Sequence, residues 1–98
     1  MKEIKIEDLI NNFETINLID IRDNYLFNIG SIPNAINIPM NLLITNPSNY
    51  LTKNEIYYIY CNRGINSKKA CEVLTNLGYN VVNIIGGYFS YQQLIDKQ

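Results

Sequence analysis

Ninety-eight residues, 47% apolar and 17% charged with a net charge of −1, are long enough for one domain over 1–98 with a single core. That balance excludes the basic face needed to neutralise nucleic-acid phosphates, and no polybasic run is available to hold an anionic membrane. With no histidine and only two cysteines, there is no material for a zinc site or a Cys-His dyad, and no cofactor is expected.

The N-terminal stretch Met1 to Glu7 alternates charged and apolar residues, unlike the apolar region of a secretory signal, and no apolar run approaches the roughly 20 residues of a membrane span. The chain is therefore expected in the cytoplasm with free thiols. Glu7 and Asp8, followed by Leu9, Ile10 and Phe13, predict a short helix with acidic residues in its first turn. Ile16 to Asp20 is mostly apolar with a polar exit, as in a strand buried on both faces. Tyr25, Leu26 and Ile29 predict a helical turn or two, stopped by Gly30. Ala35 to Ile38 is extended, and Pro39 suits the first position of a helix holding Met40, Leu42, Leu43 and Ile44. Asn46 to Asn49 is a loop by composition.

Ile56 to Tyr60 is a run of β-formers, and a helix is predicted from about Ser67 to Leu77. Ala70, Val73, Leu74 and Leu77 form its apolar stripe, and Gly78 its stop. Cys71 lies on that stripe and reads as a core residue. Asn80 to Ile85 is another buried strand, closed by Gly86 and Gly87, and Tyr88 to Lys97 a final helix. Strands alternating with helices predict an α/β fold with a parallel sheet covered on both faces. In such sheets functional groups gather beyond the carboxyl ends of the strands.

Cys61 is at such an end. A strand precedes it, the loop Asn62-Arg63-Gly64-Ile65-Asn66 follows, and a helix opens beyond. The N–H groups of a first helical turn favour a thiolate over a thiol, which marks Cys61 as a nucleophile with an anionic substrate or product. Gly64 supplies a positive φ or a close approach that lets successive N–H groups converge on the sulfur. Ser67 reads as the helix N-cap. Arg63, at the loop mouth, offers a planar fork suited to sulfonate-like oxygens. Asp20 and Arg22, at the exit of a buried strand, read as structural support: a carboxylate bonding loop amides and an arginine paired with an acid. Cysteine-based phosphoryl transfer needs Cys-x-x-x-x-x-Arg; the sixth residue after Cys61 is Ser67, so that chemistry is excluded.

Leu18-Ile19-Asp20-Ile21-Arg22, followed by the stretch from Phe27 to Pro39, resembles the first rhodanese signature, an Asp-Val-Arg turn and then Gly-His-Ile-x-x-Ala-x-Asn-Ile-Pro. Tyr60 to Ser67 resembles the second, a Cys-x-x-Gly-x-Arg-Ser loop, and Gly78-Tyr79 and Ile85-Gly86-Gly87 resemble the closing elements. The resemblance covers nearly the whole chain. It implies a rhodanese-like domain with a five-stranded parallel sheet, in which Cys61 takes a sulfane sulfur from a small anionic donor as a persulfide. Cyanide or a thiol would then accept it, and the loop from Asn62 to Ser67 (Asn62, Arg63, Gly64, Ile65, Asn66 and Ser67) would bind the transferred group. The chain departs from the pattern at four positions. Ser31 replaces a His, Leu26 a Glu, Asn66 an Arg and Tyr91 a Trp; Leu26 and Ser31 read as scaffold positions, whereas Asn66 removes a guanidinium from the loop. Arg63 falls where thiosulfate sulfurtransferases often carry a basic residue. The leading expectation is a sulfurtransferase, and the alternative is a non-catalytic persulfide relay or binding module, loaded by a sulfur-relay protein and slow with free donors.

Overall fold

The computed structural model describes residues 1–97. Its strands are β1 (Lys2–Lys5), β2 (Asn17–Asp20), β3 (Ile36–Asn37), β4 (Ile56–Tyr60) and β5 (Asn80–Ile85), and its helices α1 (Asn24–Ile29), α2 (Met40–Thr45), α3 (Ile65–Asn76) and α4 (Gly87–Asp96). The strands form one parallel sheet in the order β1-β5-β4-β2-β3. The fold is thus α/β, with helices on both faces. Leu43, Ala70, Cys71 and Leu74 from α2 and α3 pack on Ile19, Tyr57, Ile59 and Val81 on one side. Tyr91 from α4, with Ile6, Leu9 and Phe13, packs on Leu18, Tyr60 and Ile84 on the other. Alternate residues of β4 feed opposite faces, as the pleat requires, and each aliphatic side chain buried this way contributes roughly 1.5–3 kcal/mol.

Several elements differ from the sequence expectation. β1 is an edge strand whose side chains are mostly exposed, so its charged residues mask it. The helix expected after Glu7 is a single three-ten turn, Ile6–Asp8, followed by further turns. The loop after Asn46 holds a three-ten turn, Pro47–Asn49, and Pro39 caps α2 from one position before it. α3 begins two residues earlier than expected. Gly64, at φ 92°, precedes its first residue, and Ser67 lies inside the first turn. Its buried face is Ser67, Ala70, Cys71 and Leu74, while Val73 and Leu77 are exposed. Among the described residues no helix is long and apolar enough to cross a membrane.

The register places the site. Asp20 pairs with Tyr60 across β2 and β4, so both strands end level with each other. The Ile21 N–H donates to the Tyr60 carbonyl at 3.0 Å, and that of Met40 to the Ile21 carbonyl at 3.0 Å. The start of α2 is thereby drawn to the strand end that carries Cys61.

Candidate active site

Cys61 is 6% exposed, at the end of β4. Gly64 N–H donates to its Sγ at 3.2 Å and Ser67 N–H at 3.3 Å, with Ser67 Oγ also 3.3 Å from the sulfur. The thiol donates to that hydroxyl; once the sulfur is an anion, the hydroxyl rotates to donate instead. A left-handed Gly64 makes the turn possible, and its α-carbon packs so closely that an added Cβ would stand 2.8 Å from the Gly86 nitrogen. The loop is anchored from behind by the start of α4: Tyr88 N–H donates to the Cys61 carbonyl and Phe89 N–H to the Asn62 carbonyl, both at 2.9 Å. Gly87, at φ 55°, permits this approach, since a Cβ there would collide with the Cys61 carbonyl oxygen. Two amides and a hydroxyl converging on one sulfur suit a thiolate or the inner sulfur of a persulfide.

Asp20 and Arg22 support the loop from the other side. Asp20 Oδ1 accepts the Arg22 backbone N–H at 2.9 Å, and Oδ2 forms a buried ion pair with Nη2 at 2.8 Å. Nε also donates to Asp20 at 3.1 Å, Nη2 to the Gly30 carbonyl at 2.6 Å and Nη1 to Asn62 Oδ1 at 3.3 Å, and the group stacks 4.3 Å from the Tyr88 ring centroid. Burial alone would lower the Arg22 pKa, but the bond and charge of Asp20 offset this and hold it above its ordinary value. Tyr60, fully buried, accepts the Ile32 N–H at 3.1 Å; burial and the nearby Asp20 carboxylate push its hydroxyl well above the usual range. Cys71 is buried beneath α3, and burial, with the Glu3 carboxylate and Cys61 adding, pushes its thiol up to about 12. Both cysteines are free.

Cys61 opens into a cavity of about 650 Å³ shared with Ile21, Arg22, Asp23, Leu26, Met40, Asn41, Ile44, Asn62 and Asn66. Of the loop residues singled out in the sequence, Asn62 and Asn66 line this cavity, and Gly64 and Ser67 hold the sulfur. Ser67 does so from within the helix, in place of the N-cap role expected of it. Arg63 and Ile65 stand elsewhere. The Arg63 guanidinium lies 4.1 Å from the Phe89 ring centroid, and Ile65 is 65% exposed; both border a separate groove with Lys68 and Lys69. Arg63, expected at the donor side of the loop mouth, thus rests against the Phe89 ring and does not line this cavity. Leu26, read as scaffold, is a cavity wall. Asp23, Met40, Asn41 and Ile44 were not singled out, because they come from the cap of α1 and from α2, whose approach to Cys61 depends on strand register.

A model of the rhodanese-like domain matches residues 5–94. The putative sulfurtransferase YtwF of Bacillus subtilis is 30% identical over 95 residues, covering 94% of this chain and 91% of that protein. The adenylyltransferase and sulfurtransferase uba4 of Ogataea parapolymorpha is 35% identical over 80 residues, or 81% of this chain, which spans only 21% of that longer protein. A crystal structure of a rhodanese-like domain protein from Staphylococcus aureus superposes with a TM-score of 0.84 at 37% identity, covering 93% of this chain and 91% of the other.

Proposed function

The chain belongs to the rhodanese-like domain family, with sulfur transfer as its chemistry, and we propose that the sulfur travels as a persulfide on Cys61 Sγ. The Cys61 thiolate attacks the sulfane sulfur of a donor such as thiosulfate. A new S–S bond forms, the donor's S–S bond breaks, and sulfite leaves with the bonding pair. Cyanide or a thiolate then attacks the outer sulfur, and Cys61 departs as a thiolate. In both halves the Gly64 and Ser67 donors stabilise negative charge on the inner sulfur. The convergence of the Gly64 and Ser67 amides and the Ser67 hydroxyl on Sγ is the observation that carries this reading. Two free thiols support a reducing, cytoplasmic setting.

A relay reading has its own support. Asn66 stands where the family pattern has an arginine and Arg63 is turned outward, so no uncommitted guanidinium lines the cavity among the described residues. Loading by a sulfur-relay protein would then outpace free turnover. Intact mass after incubation with thiosulfate tests the chemistry: a gain of one sulfur, lost on adding cyanide, is the expected result. Loading by a donor protein alongside slow thiocyanate release would favour the relay, and no gain from any donor would overturn both readings.

A further inference from the structure

A second groove, of about 520 Å³, runs between α3 and the edge strand β1, and the backbone of Gly64 and Gly86 closes one end of it. Asn83 and Ile85 line it from β5, on the same sheet face as Val81, which packs against α3. Ile65, Lys68, Lys69 and Glu72, spaced i, i+3, i+4 and i+7, present one side of α3 to it. Glu3, in register with Asn83, stands on the β1 side.

Two independent observations point to a ligand here. In a chain of net charge −1, three of the eight basic residues, Arg63, Lys68 and Lys69, border this one groove, and none has an ion pair among the described residues. Ile65 and Ile85 are exposed beside them. The second observation is Asn83, 1% exposed. Its Nδ2 donates to Glu3 Oε2 at 2.9 Å, while its Oδ1 accepts no hydrogen bond. Buried amide oxygens are nearly always partnered, so this one calls for a donor. Glu3 is exposed, and the bond to Asn83 is its one side-chain bond among the described residues, so it is the group free to swing aside.

We infer that this groove docks an extended segment of a partner protein that carries aspartate or glutamate next to an apolar residue. The acidic side chain meets Lys68, Lys69 and Arg63, and the apolar one covers Ile65 and Ile85. As Glu3 swings away, one backbone peptide unit pairs with the Asn83 amide, its N–H donating to Oδ1 and its carbonyl accepting from Nδ2. A polyphosphate fits less well, because its unbroken charge would run against Glu3 and Glu72, whereas a peptide confines its acid to the basic end. Ile65 lines this groove and its neighbour Asn66 the Cys61 cavity, so a docked segment leaves the cavity open and holds its protein at the rim. The inference goes beyond the persulfide reading and stands whether or not Cys61 carries sulfur.

The test selects, on the immobilised whole chain, from a library of terminally blocked octapeptides with every position drawn from Asp, Glu, Lys, Arg, Leu, Ile, Ser and Gly. Enriched peptides, and an oligothymidylate of eight nucleotides, are then titrated by fluorescence anisotropy against folded variants checked by circular dichroism. Enrichment of Asp or Glu beside Leu or Ile is the expected result. Lys68→Glu combined with Lys69→Glu should weaken binding at least tenfold. Glu3→Ala should tighten it at least twofold, while Cys61→Ser and Lys53→Glu, the latter beside Gly78 beyond the other end of α3, stay within twofold. In nitrogen-15 spectra the Asn83 side-chain amide should shift on binding. No enrichment, enrichment of basic or uncharged peptides, or an equal loss with Lys53→Glu overturns the inference. An unmoved Asn83 amide, or Glu3→Ala binding no tighter, overturns the backbone pairing and the peptide with it. Loss with Cys61→Ser would put the peptide in the Cys61 cavity, and tighter binding of the oligothymidylate would assign the basic wall to nucleic acid; either result sinks the proposal.

Discussion

The Tyr88 amide donates to the Cys61 carbonyl at 2.9 Å, so the first turn of α4 holds the strand end that carries the thiol. Gly87 makes this approach possible. Gly87→Ala places a Cβ against the Cys61 carbonyl and imposes a left-handed backbone on a residue that resists it, at about 1–2 kcal/mol before the clash is counted. The expected outcome is a lower urea midpoint with an unchanged slope, together with slower loading of Cys61. An unchanged midpoint would mean that α4 shifts freely and does not anchor the loop.

Cys61→Ser abolishes thiocyanate formation while preserving the circular dichroism spectrum, because an oxygen in the same cradle carries no sulfane sulfur. Cys71→Ala retains most activity, since that thiol is packed between α3 and the sheet and does not line the Cys61 cavity. Steady-state assays of both variants, with mass spectrometry of each after donor treatment, check the assignment. Activity lost with Cys71 and kept with Cys61 would assign the chemistry to the other sulfur.

Asn66 and Arg63 separate two ideas about charge. Asn66→Arg adds a guanidinium to the cavity wall and raises the thiosulfate rate by up to about tenfold, equivalent to ~1.4 kcal/mol. Arg63→Ala leaves the Michaelis constant for thiosulfate within about twofold, because its guanidinium rests on the Phe89 ring outside the cavity. Its cost is instead a stability loss of about 0.5–1 kcal/mol. Steady-state rates at matched ionic strength decide both; a several-fold rise in the Michaelis constant for Arg63→Ala would return that residue to the donor site.

Alkali weakens the fold in a defined window. The Cys71 thiol has an ordinary value of 9.0 and is pushed up to about 12 by burial, with Glu3 and Cys61 adding. Between these values the unfolded chain has released the proton and the folded chain still holds it, so the unfolded state binds fewer protons and stability falls as pH rises. That contribution is complete below about pH 9 and is lost toward pH 12. Tyr60, also raised by burial, acts in the same direction above its ordinary value of 10.0. Urea midpoints measured across the alkaline range should decline for the wild type and less steeply for Cys71→Ala; parallel curves would mean that Cys71 does not contribute.

The sheet centre was legible because β4 is a run of β-formers and β5 is apolar apart from Asn80 and Asn83, both closed by turn residues. The cysteine at the end of β4 was legible for the same reason. β1 was missed because an edge strand with Lys2, Glu3 and Lys5 facing outward has no alternation of burial to display. The start of α3 was misplaced because Ser67 resembles a cap in sequence, yet it is the left-handed Gly64 that turns the chain, leaving Ser67 free to face the sulfur. The orientation of Arg63 was not legible because its guanidinium rests on the Phe89 ring, 26 positions away in the chain. The resemblance supplied motif positions in order, but not the direction in which each side chain points.

Arg22 gathers Asp20 from β2, the carbonyl of Gly30 beyond α1, Asn62 of the cysteine loop and the ring of Tyr88 in α4. These four stretches meet only when the chain has closed on itself. A nascent or nicked chain that stops short of Tyr88 therefore carries Cys61 without the Tyr88 and Phe89 amides that hold its loop, and without the ring against which Arg22 stacks. The loop that follows β4 thus gains its last anchor only once the C-terminal helix is in place.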